Sequence, residues 1–321
     1  MSADFFSALV VDGGKSKTRI AQVTSAGIER EATLPGLPII GEPGGPAEMR
    51  ARLIGAFDRF AQTEPDRVVL ALNGVYVPDA VAERTLADTV RAVFPGAEAV
   101  ISSDMVTSFL GALGPVTGVV LAAGTGTIAM TLDAKGQVHR TDGWGPHSGD
   151  RGSGWQIGRE GLASVFRTLD GASGGSPLLL ELWTRRFGEF SRSWSEIYRT
   201  DNPVAMIASF ARDVLDAADD ADIVAVRIRD EALTDLVDTV EIATRHLDGP
   251  AAFSYTGGLL SAGSPFLPRF LAALTERLPS LRVAAPRGDA LDGAALLAMS
   301  AEPILREVVA WHPPKGNHDP R

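Results

Sequence analysis

The sequence predicts an α/β protein that contains a duplicated domain, and two observations carry this prediction. Apolar runs of strand length alternate with segments of helical periodicity, which is typical of a mostly parallel sheet with helices on its faces. Two glycine turns, at residues 12–18 and 124–127, each follow an apolar strand and precede another strand. A pattern that occurs twice in this way is expected of a domain that has been duplicated.

Composition narrows the possible classes of function. The 321 residues suffice for two domains and a large core. A net charge of −10 argues against a nucleic-acid partner, because no excess of cations is present to displace counterions from a phosphate backbone. Cysteine is absent, which excludes disulfides, cysteine nucleophiles and thiolate-bound zinc or iron–sulfur clusters. We find no signal peptide and no apolar run near the roughly 20 residues that span a membrane, and expect a cytoplasmic protein.

The first predicted strand, residues 5–11, ends at a turn that starts with Asp12. The chain then returns in two further short strands, 18–24 and 28–34, so the turn belongs to a hairpin sheet. It is not a P-loop, because Leu9 stands where that motif requires its first glycine. A carboxylate beside glycine, lysine and hydroxyl side chains suits a magnesium–phosphate group, and a plain hairpin turn would explain the same residues.

After a loop rich in proline and glycine at 35–46, helices and strands alternate. The predicted elements are a helix at 47–62, a strand at 67–72, a helix at 79–94, a strand at 98–101 and a helix at 105–113. In such sheets, ligands bind beyond the carboxyl ends of the strands. Four residues stand at these ends: Asp12, Asn73, Asp104 and Gly124. We therefore expect them to share one site.

Asp104 precedes the helix at 105–113, and two roles fit it. As an N-cap it would stabilise the helix by about 1 kcal/mol. As a general base it would accept the proton of a substrate hydroxyl that attacks a phosphoryl group. Its position at the same predicted sheet edge as Asp12 favours the base.

A second glycine turn follows the strand at 119–123. Its amides and threonine hydroxyls can point at phosphate oxygens, since glycine lets the ligand approach without meeting a Cβ. Further on, the segment 142–159 combines many glycines with Trp144, Asp150 and Arg151. A loop of this composition indicates a binding surface, and an ordinary hairpin with a flexible loop is the alternative.

The remainder of the chain is predicted to be mainly helical. The predicted helices are 164–169, 178–187, 194–198, 204–219, 222–246, 264–278 and 289–300, and the predicted strands are 251–255 and 281–284. The strand at 251–255 ends in a third glycine turn, at 256–259. The apolar face of the helix at 222–246 is expected to be core or a subunit interface. The tail after residue 311 is expected to be disordered.

Taken together and in this order, these segments resemble the sugar kinase, Hsp70 and actin superfamily. The closer resemblance is to the N-acetylglucosamine kinase-like members of the BadF/BadG/BcrA/BcrD ATPase family, and it covers about residues 8–300. Residues 12–18 stand at the first phosphate motif, 123–127 at the second, and 255–259 at the adenosine motif. Residues 143–154 are similar to the family's Gly-Trp-Gly…Gly-Asp-Glu-Gly-Ser signature, and 103–104 to the pair before its catalytic helix.

The resemblance implies a fold of duplicated ribonuclease H-like (actin-like ATPase) domains, with mixed sheets flanked by helices and a cleft between the domains. The implied boundaries are 1–115 for the first domain, 116–302 for the second and 303–321 for a tail. The final helix, 289–302, is expected to pack back on the first domain. A homodimer is also implied.

The resemblance further implies an ATP-dependent kinase that phosphorylates the 6-hydroxyl of an amino-sugar, N-acetylglucosamine above all, with Mg²⁺ as the metal. Asp12 would reach the metal through water, and Asp104 would be the base. The residues implied for ATP are Gly13, Gly14, Lys15, Ser16, Lys17, Thr18, Gly124, Thr125, Gly126, Thr127, Gly257, Gly258 and Leu259. Those implied for the sugar are Asn73, Gly74, Asp104, Thr125, Trp144 and Asp150.

Two departures from the family pattern leave the sugar open. Arg151 replaces the usual glutamate after Asp150, and the loop 35–40 lacks the asparagine that often contacts the sugar. Glucosamine and N-acetylmuramic acid therefore remain alternatives.

Three other classes of protein also remain to be weighed. An activator ATPase of a 2-hydroxyacyl-CoA dehydratase would need cysteines, and a sugar-responsive regulator would need a DNA-binding segment before the first strand. A nucleotide-binding assembly ATPase would have no sugar substrate, and the glycine-rich segment at 143–154 argues against it.

Overall fold

The computed structural model describes residues 6–14, 17–75 and 79–314. The chain forms two compact units. The first comprises Met1–Thr117, Leu132–Val138 and Ala285–Arg321, and the second comprises Gly118–Thr131 and His139–Ala284. Each unit consists of one sheet, with helices and a hydrophobic core of its own. Among the helices of the described ranges, none is long and apolar enough to cross a membrane.

The strands of the chain are β1 Ser7–Gly13, β2 Lys17–Thr24, β3 Gly27–Pro35, β4 Arg67–Leu72, β5 Glu98–Ser102, β6 Gly118–Ala123, β7 Thr127–Leu132, β8 Val138–Asp142, β9 Ala252–Thr256, β10 Arg282–Val283 and β11 Val309–His312. The sheet of the first unit has the order β11-β5-β4-β1-β2-β3. Strands β1, β2 and β3 form an antiparallel meander, whereas β4 and β5 run parallel to β1. The carboxyl ends of β1, β4 and β5 therefore lie side by side along one edge of the sheet.

The second sheet repeats this arrangement. Its order is β10-β9-β6-β7-β8. The strands β6, β7 and β8 lie side by side, as β1, β2 and β3 do in the first sheet. The strands β9 and β10 lie on the other side of β6, as β4 and β5 lie on the other side of β1. Strands β9 and β10 are parallel to β6. The repeated strand order confirms the prediction of a duplicated α/β fold with mixed sheets.

The helices are α1 Gly45–Phe60, α2 Ala80–Val93, α3 Asp104–Leu113, α4 Gly154–Leu169, α5 Pro177–Phe187, α6 Phe190–Arg199, α7 Pro203–Ser209, α8 Ala211–Asp219, α9 Ile223–Thr244, α10 Phe266–Arg277 and α11 Ala290–Met299. In the first unit, α11 packs against α3 at backbone distance. A Cβ at Gly111 of α3 would collide with the carbonyl oxygen of Asp289, so this crossing depends on glycine.

Three sequence predictions were wrong in detail. The single helix predicted at 204–219 is two helices that meet at Phe210, whose ring is fully buried against Trp183 at 5.1 Å between centroids. The loop predicted at 142–159 ends at Ser153, because its hydroxyl caps α4 by accepting a hydrogen bond from the amide of Gln156. The strand β11, which pairs antiparallel with β5, was not predicted and reaches one residue into the segment after residue 311 that was expected to be disordered; residues 315–321 lie outside the described ranges.

Candidate active site

Three polar residues meet at the edge where the parallel strands of the first unit end. Asp12 belongs to β1, Asn73 follows β4, and Asp104 follows β5, and these three strands are neighbours in the sheet. The backbone amide of Asn73 donates a hydrogen bond to the carbonyl of Gly13 at 2.9 Å. The side chain of Asn73 donates to the carboxylate of Asp104. Gly74 completes the turn with a left-handed φ of 76°.

Asp104 is not the N-cap of α3. Ser103 occupies that position, and its hydroxyl accepts a hydrogen bond of 3.3 Å from the amide of Val106. The helix is thus capped without Asp104, which overturns the cap alternative. Burial raises the pKa of Asp104 to about 6, with a further contribution from the negative charge of Asp12, while hydrogen bonds from Met105 and Asn73 oppose the rise. A carboxylate with this pKa is ionised at neutral pH and still basic enough to take a proton.

Asp12 is paired with a residue that the sequence analysis missed. Arg19 of β2 stands directly across from it in the antiparallel register, and its Nε and Nη2 atoms donate to Asp12 Oδ2 at 3.3 and 3.2 Å. Burial raises the pKa of Asp12, and the charge of Arg19 opposes that effect. The register of a correctly predicted hairpin would have identified this partner.

The first glycine turn is only partly described, since Lys15 and Ser16 lie outside the described residues. The amide of Gly14 donates to the carbonyl of Lys17 at 3.0 Å, which closes the turn. Lys17 is exposed, whereas Thr18 is buried and its hydroxyl has no hydrogen-bond partner among the described residues.

The second glycine turn, residues 124–126, is held between β6 and the start of α4. The carbonyls of Gly124 and Thr125 accept hydrogen bonds from the first amides of that helix, at 2.8 and 3.0 Å. Thr127 matches Thr18 of the first turn, because its hydroxyl is also buried without a partner in the described part of the chain. Each of the two equivalent turns thus has one buried hydroxyl without a partner among the described residues.

Asp150 lies against the second turn and is buried. Its Oδ1 accepts a hydrogen bond of 3.3 Å from the amide of Thr127. A Cβ at Gly126 would lie 2.9 Å from the Asp150 carboxylate, so glycine is required for this approach. Burial raises the pKa of Asp150, and the nearby charge of Asp142 adds to the effect.

Asp142, which sequence reasoning did not select, organises the loop that carries Asp150. Its two carboxylate oxygens accept the amides of Asp150 and Arg151, both at 2.8 Å. Asp142 and Asp150 adopt left-handed φ values of 61° and 58°, which is uncommon outside glycine, asparagine and aspartate. The Arg151 side chain forms an ion pair with Asp235 of α9. Arg151 therefore attaches the loop to α9.

Whereas Asp150 is buried, Trp144 is largely exposed. The side chain is 63 % exposed, and the guanidinium of Arg140 lies 3.8 Å from the ring centroid. The indole is thus held by a cation–π contact on one face.

The second and third glycine turns line one cavity in the second unit. This cavity has a volume of about 770 Å³, and Gly124, Thr125, Gly258 and Leu259 contribute to its wall. Gly257 precedes them with a φ of 97°. Helix α8 adds Arg212 and Asp216, which the sequence analysis did not identify because nothing in their spacing distinguishes them from a solvated helix face.

The residues at the first sheet edge suit a magnesium ion that is held mainly by phosphates and water. Among the described residues, no group of three or more His, Cys, Asp or Glu side chains could hold a metal. Mg²⁺ commonly binds through one or two carboxylates together with substrate phosphates. Asp12 fits this role, because no described residue donates to its Oδ1.

The chain is similar to several known proteins. Residues 47–298 match the BadF/BadG/BcrA/BcrD ATPase family. An N-acetylmuramic acid/N-acetylglucosamine kinase of Clostridium acetobutylicum is 24 % identical over 239 residues, which cover 71 % of this chain and 78 % of the relative. An N-acetyl-D-glucosamine kinase of Dictyostelium discoideum is 30 % identical over 199 residues, 60 % of this chain and 62 % of the relative. This second match spans less than two thirds of that protein.

Solved structures share the fold. A candidate N-acetylglucosamine kinase from Chromobacterium violaceum has a TM-score of 0.73 at 24 % identity, covering 92 % of this chain and all of the other. A candidate N-acetylglucosamine kinase from Porphyromonas gingivalis has a TM-score of 0.69 at 16 % identity, covering 91 % and 97 %.

Proposed function

Because this chain belongs to the BadF/BadG/BcrA/BcrD ATPase family, we propose that it is an ATP-dependent kinase of amino-sugars. The reaction would transfer the γ-phosphoryl group of ATP to the sugar 6-hydroxyl, giving the sugar 6-phosphate and ADP. N-acetylglucosamine is the preferred acceptor in this proposal, with glucosamine and N-acetylmuramic acid as alternatives. The names of the two relatives support a hexosamine acceptor.

The observation that carries the proposal is the shared cavity of the second unit. Gly124 and Thr125 of one turn and Gly258 and Leu259 of another, far apart in sequence, line one space of about 770 Å³. A volume of this order accommodates a nucleotide. Glycine at both turns lets a ligand approach the backbone without meeting a Cβ, and the buried hydroxyl of Thr127 has no partner among the described residues. We assign phosphates to the turn at 124–127 and adenosine to the turn at 257–259.

The residues of the first unit are assigned to the metal, the phosphates and the proton. Gly13, Gly14 and Thr18 would bind phosphate, together with Lys15, Ser16 and Lys17. Bound Mg²⁺ would neutralise the charge that collects on the β- and γ-phosphates, and Asp12 would hold one of its water ligands. Asp104 would accept the proton of the 6-hydroxyl as the sugar oxygen attacks the γ-phosphorus and the β–γ bridging oxygen leaves with ADP.

The sugar is assigned to residues of both units. Asp150 would accept hydrogen bonds from sugar hydroxyls, and its burial makes such bonds stronger than they are in water. Thr125, Asn73, Gly74 and Trp144 complete the assignment.

The test is ADP release from MgATP in the presence of amino-sugars. We expect release above the water background with at least one of N-acetylglucosamine, glucosamine and N-acetylmuramic acid, and phosphorus–hydrogen coupling at carbon 6 of the product. The 6-deoxy analogue of the best sugar is the matched control, because it binds without offering the acceptor hydroxyl. ADP release that no sugar increases would contradict a kinase and support a nucleotide-binding ATPase without a sugar substrate.

A further inference from the structure

Arg19 holds two carboxylates that belong to distant parts of the first unit. Its Nε and Nη2 donate to Asp12 Oδ2 at 3.3 and 3.2 Å, and its Nη1 and Nη2 donate to Asp289 Oδ2 and Oδ1, both at 2.8 Å. Its side chain is only 18 % exposed. Glu31 lies further away, at 3.6 Å from Nη1. One guanidinium therefore connects β1 to the start of α11.

Asp289 is itself fixed in place. It is the N-cap of α11, and its Oδ1 accepts hydrogen bonds from the amides of Leu291 at 2.8 Å and Asp292 at 3.4 Å. Its backbone lies against Gly111 of α3, the helix that begins with Asp104. Asp289 is thus a rigid anchor, and Arg19 connects it to Asp12.

We propose that Arg19 is a positioning residue for the metal-binding carboxylate: anchored on Asp289, it holds Asp12 through Oδ2 and leaves Oδ1 for a water ligand of the metal. The inference rests on the proposed function in that Asp12 serves a nucleotide-bound divalent cation. Arg19 itself would touch neither the metal nor the sugar. Its planar fork can satisfy two carboxylates at once, whereas a lysine ammonium is a single point of charge at the end of a flexible stem.

A second arginine that contacts α11 provides a matched control. Arg67, at the start of β4, holds the opposite end of α11: its Nη1 donates to the carbonyls of Ala298 at 2.6 Å and Ser300 at 2.9 Å, and its Nε donates to Glu98 at 2.7 Å. Its side chain is 14 % exposed, close to the value for Arg19. Arg67 contacts none of the residues assigned to the metal, the phosphates or the sugar.

The experiment measures binding of Mn²⁺ with ADP to the full chain by electron paramagnetic resonance of free Mn²⁺, without sugar. Residues that orient a metal-binding group contribute roughly 10- to 100-fold to metal affinity. We expect Arg19→Lys to lose Mn²⁺ affinity in this range, and Arg67→Lys to keep the wild-type value. Asp289→Asn retains an N-cap, because asparagine caps about as well as aspartate, but loses the anchoring charge. It should weaken Mn²⁺ binding in the same direction, by a smaller factor.

The outcomes separate this inference from its structural alternative. Wild-type Mn²⁺ affinity in both Arg19→Lys and Asp289→Asn overturns the proposal, as does an equal loss in Arg67→Lys, which would mean that any disturbance of α11 has this effect. Should Arg19→Lys fail to fold by circular dichroism, Asp289→Asn decides. Since no sugar is added, a chain whose binding of Mn²⁺ and ADP depends on Arg19 but that phosphorylates no sugar would contradict the proposed function and leave this inference standing.

Discussion

The carboxylate of Asp104 combines two properties that a general base needs. Burial and the nearby charge of Asp12 raise its pKa to about 6, so it is ionised at neutral pH and accepts a proton more readily than an exposed aspartate does. The side chain of Asn73 donates a hydrogen bond to it and limits its orientation. Because Ser103 supplies the cap of α3, Asp104 can be substituted without removing a cap.

We predict that Asp104→Asn folds with a melting temperature no lower than that of the wild type at neutral pH and keeps its sugar affinity, but lowers kcat by at least about a hundredfold. The amide has nearly the same shape but cannot take the proton, and general bases contribute roughly 10²- to 10⁴-fold. Steady-state kinetics and calorimetry on the same preparation would measure both effects. A well-folded Asp104→Asn protein with near-normal kcat would show that the base lies elsewhere, with Asp150 the first candidate.

The raised pKa of Asp104 also predicts how stability depends on pH. Between the pKa of an unfolded aspartate, near 3.9, and the native value of about 6, the folded chain binds more protons than the unfolded chain. The contribution of Asp104 to the free energy of unfolding is therefore present at the acid end of this window and is lost as pH rises through it. Asp104→Asn should flatten this dependence.

Urea unfolding of the wild type and Asp104→Asn at several pH values between 4 and 7 would measure the difference. The comparison reports the titration of Asp104 together with its electrostatic coupling to Asp12, whereas burial raises the pKa of Asp150 in both proteins. Identical pH slopes would contradict the assignment.

The loop between β8 and α4 depends on two aspartates with left-handed backbones. Asp142 holds the loop by accepting two backbone amides, and Asp150 attaches it to the second glycine turn through Thr127. The loop is therefore an ordered support for one buried carboxylate. We infer that Asp142 has a role in positioning the loop.

We predict that Asp150→Asn raises the KM for the sugar tenfold to a hundredfold and leaves the KM for ATP within about twofold. A hydrogen bond to a charged group contributes roughly 1.5–3 kcal/mol, and asparagine tolerates the left-handed φ and can still accept the amide of Thr127. The variant thus removes the charge and keeps the loop. An unchanged KM for the sugar would mean that Asp150 serves only to hold the turn.

The sequence predicted elements better than it predicted the contacts between them. Asp12, Asn73 and Asp104 were selected because each follows a strand, and the parallel pairing of β1, β4 and β5 brings such residues to one edge. Asp104 was considered as the cap of α3, and the structure gives that role to the adjacent Ser103, because serine and aspartate cap about equally well.

Other features of the structure could not be predicted, because no local sequence pattern indicates them. The break at Phe210 involves neither glycine nor proline, and β11 is four residues long. The contact between Arg19 and Asp289 joins residues 270 positions apart. Only tertiary packing specifies such features.

The two units of the molecule repeat one strand order, but they differ in the charge at the end of their first strands. Each unit has a glycine turn after its first strand and a buried threonine hydroxyl next to it. Only the turn of the first unit carries an aspartate at the end of that strand, since β6 ends in two alanines. The duplication therefore provides two similar glycine turns but one candidate carboxylate for a metal.

The first unit is formed by three separate segments of the chain, which affects when it can fold during synthesis on the ribosome. Residues after 284 supply α11, which packs on α3, and β11, which pairs with β5, whereas β6 to β10 lie between residues 118 and 284. Domains fold as their residues emerge, so the second unit can fold while the first still lacks a helix and an outer strand.

We predict that a chain ending at residue 284 contains a protease-resistant second unit and a first unit that is cleaved readily. Limited proteolysis with mass spectrometry, with the full chain as control, would measure this. Equal resistance of the first unit in both chains would contradict the prediction. If it holds, the edge that bears Asp12 and Asp104 is completed only after nearly the whole chain has been translated. A nascent protein would then form the cavity proposed for the nucleotide before it could position the carboxylates proposed for catalysis.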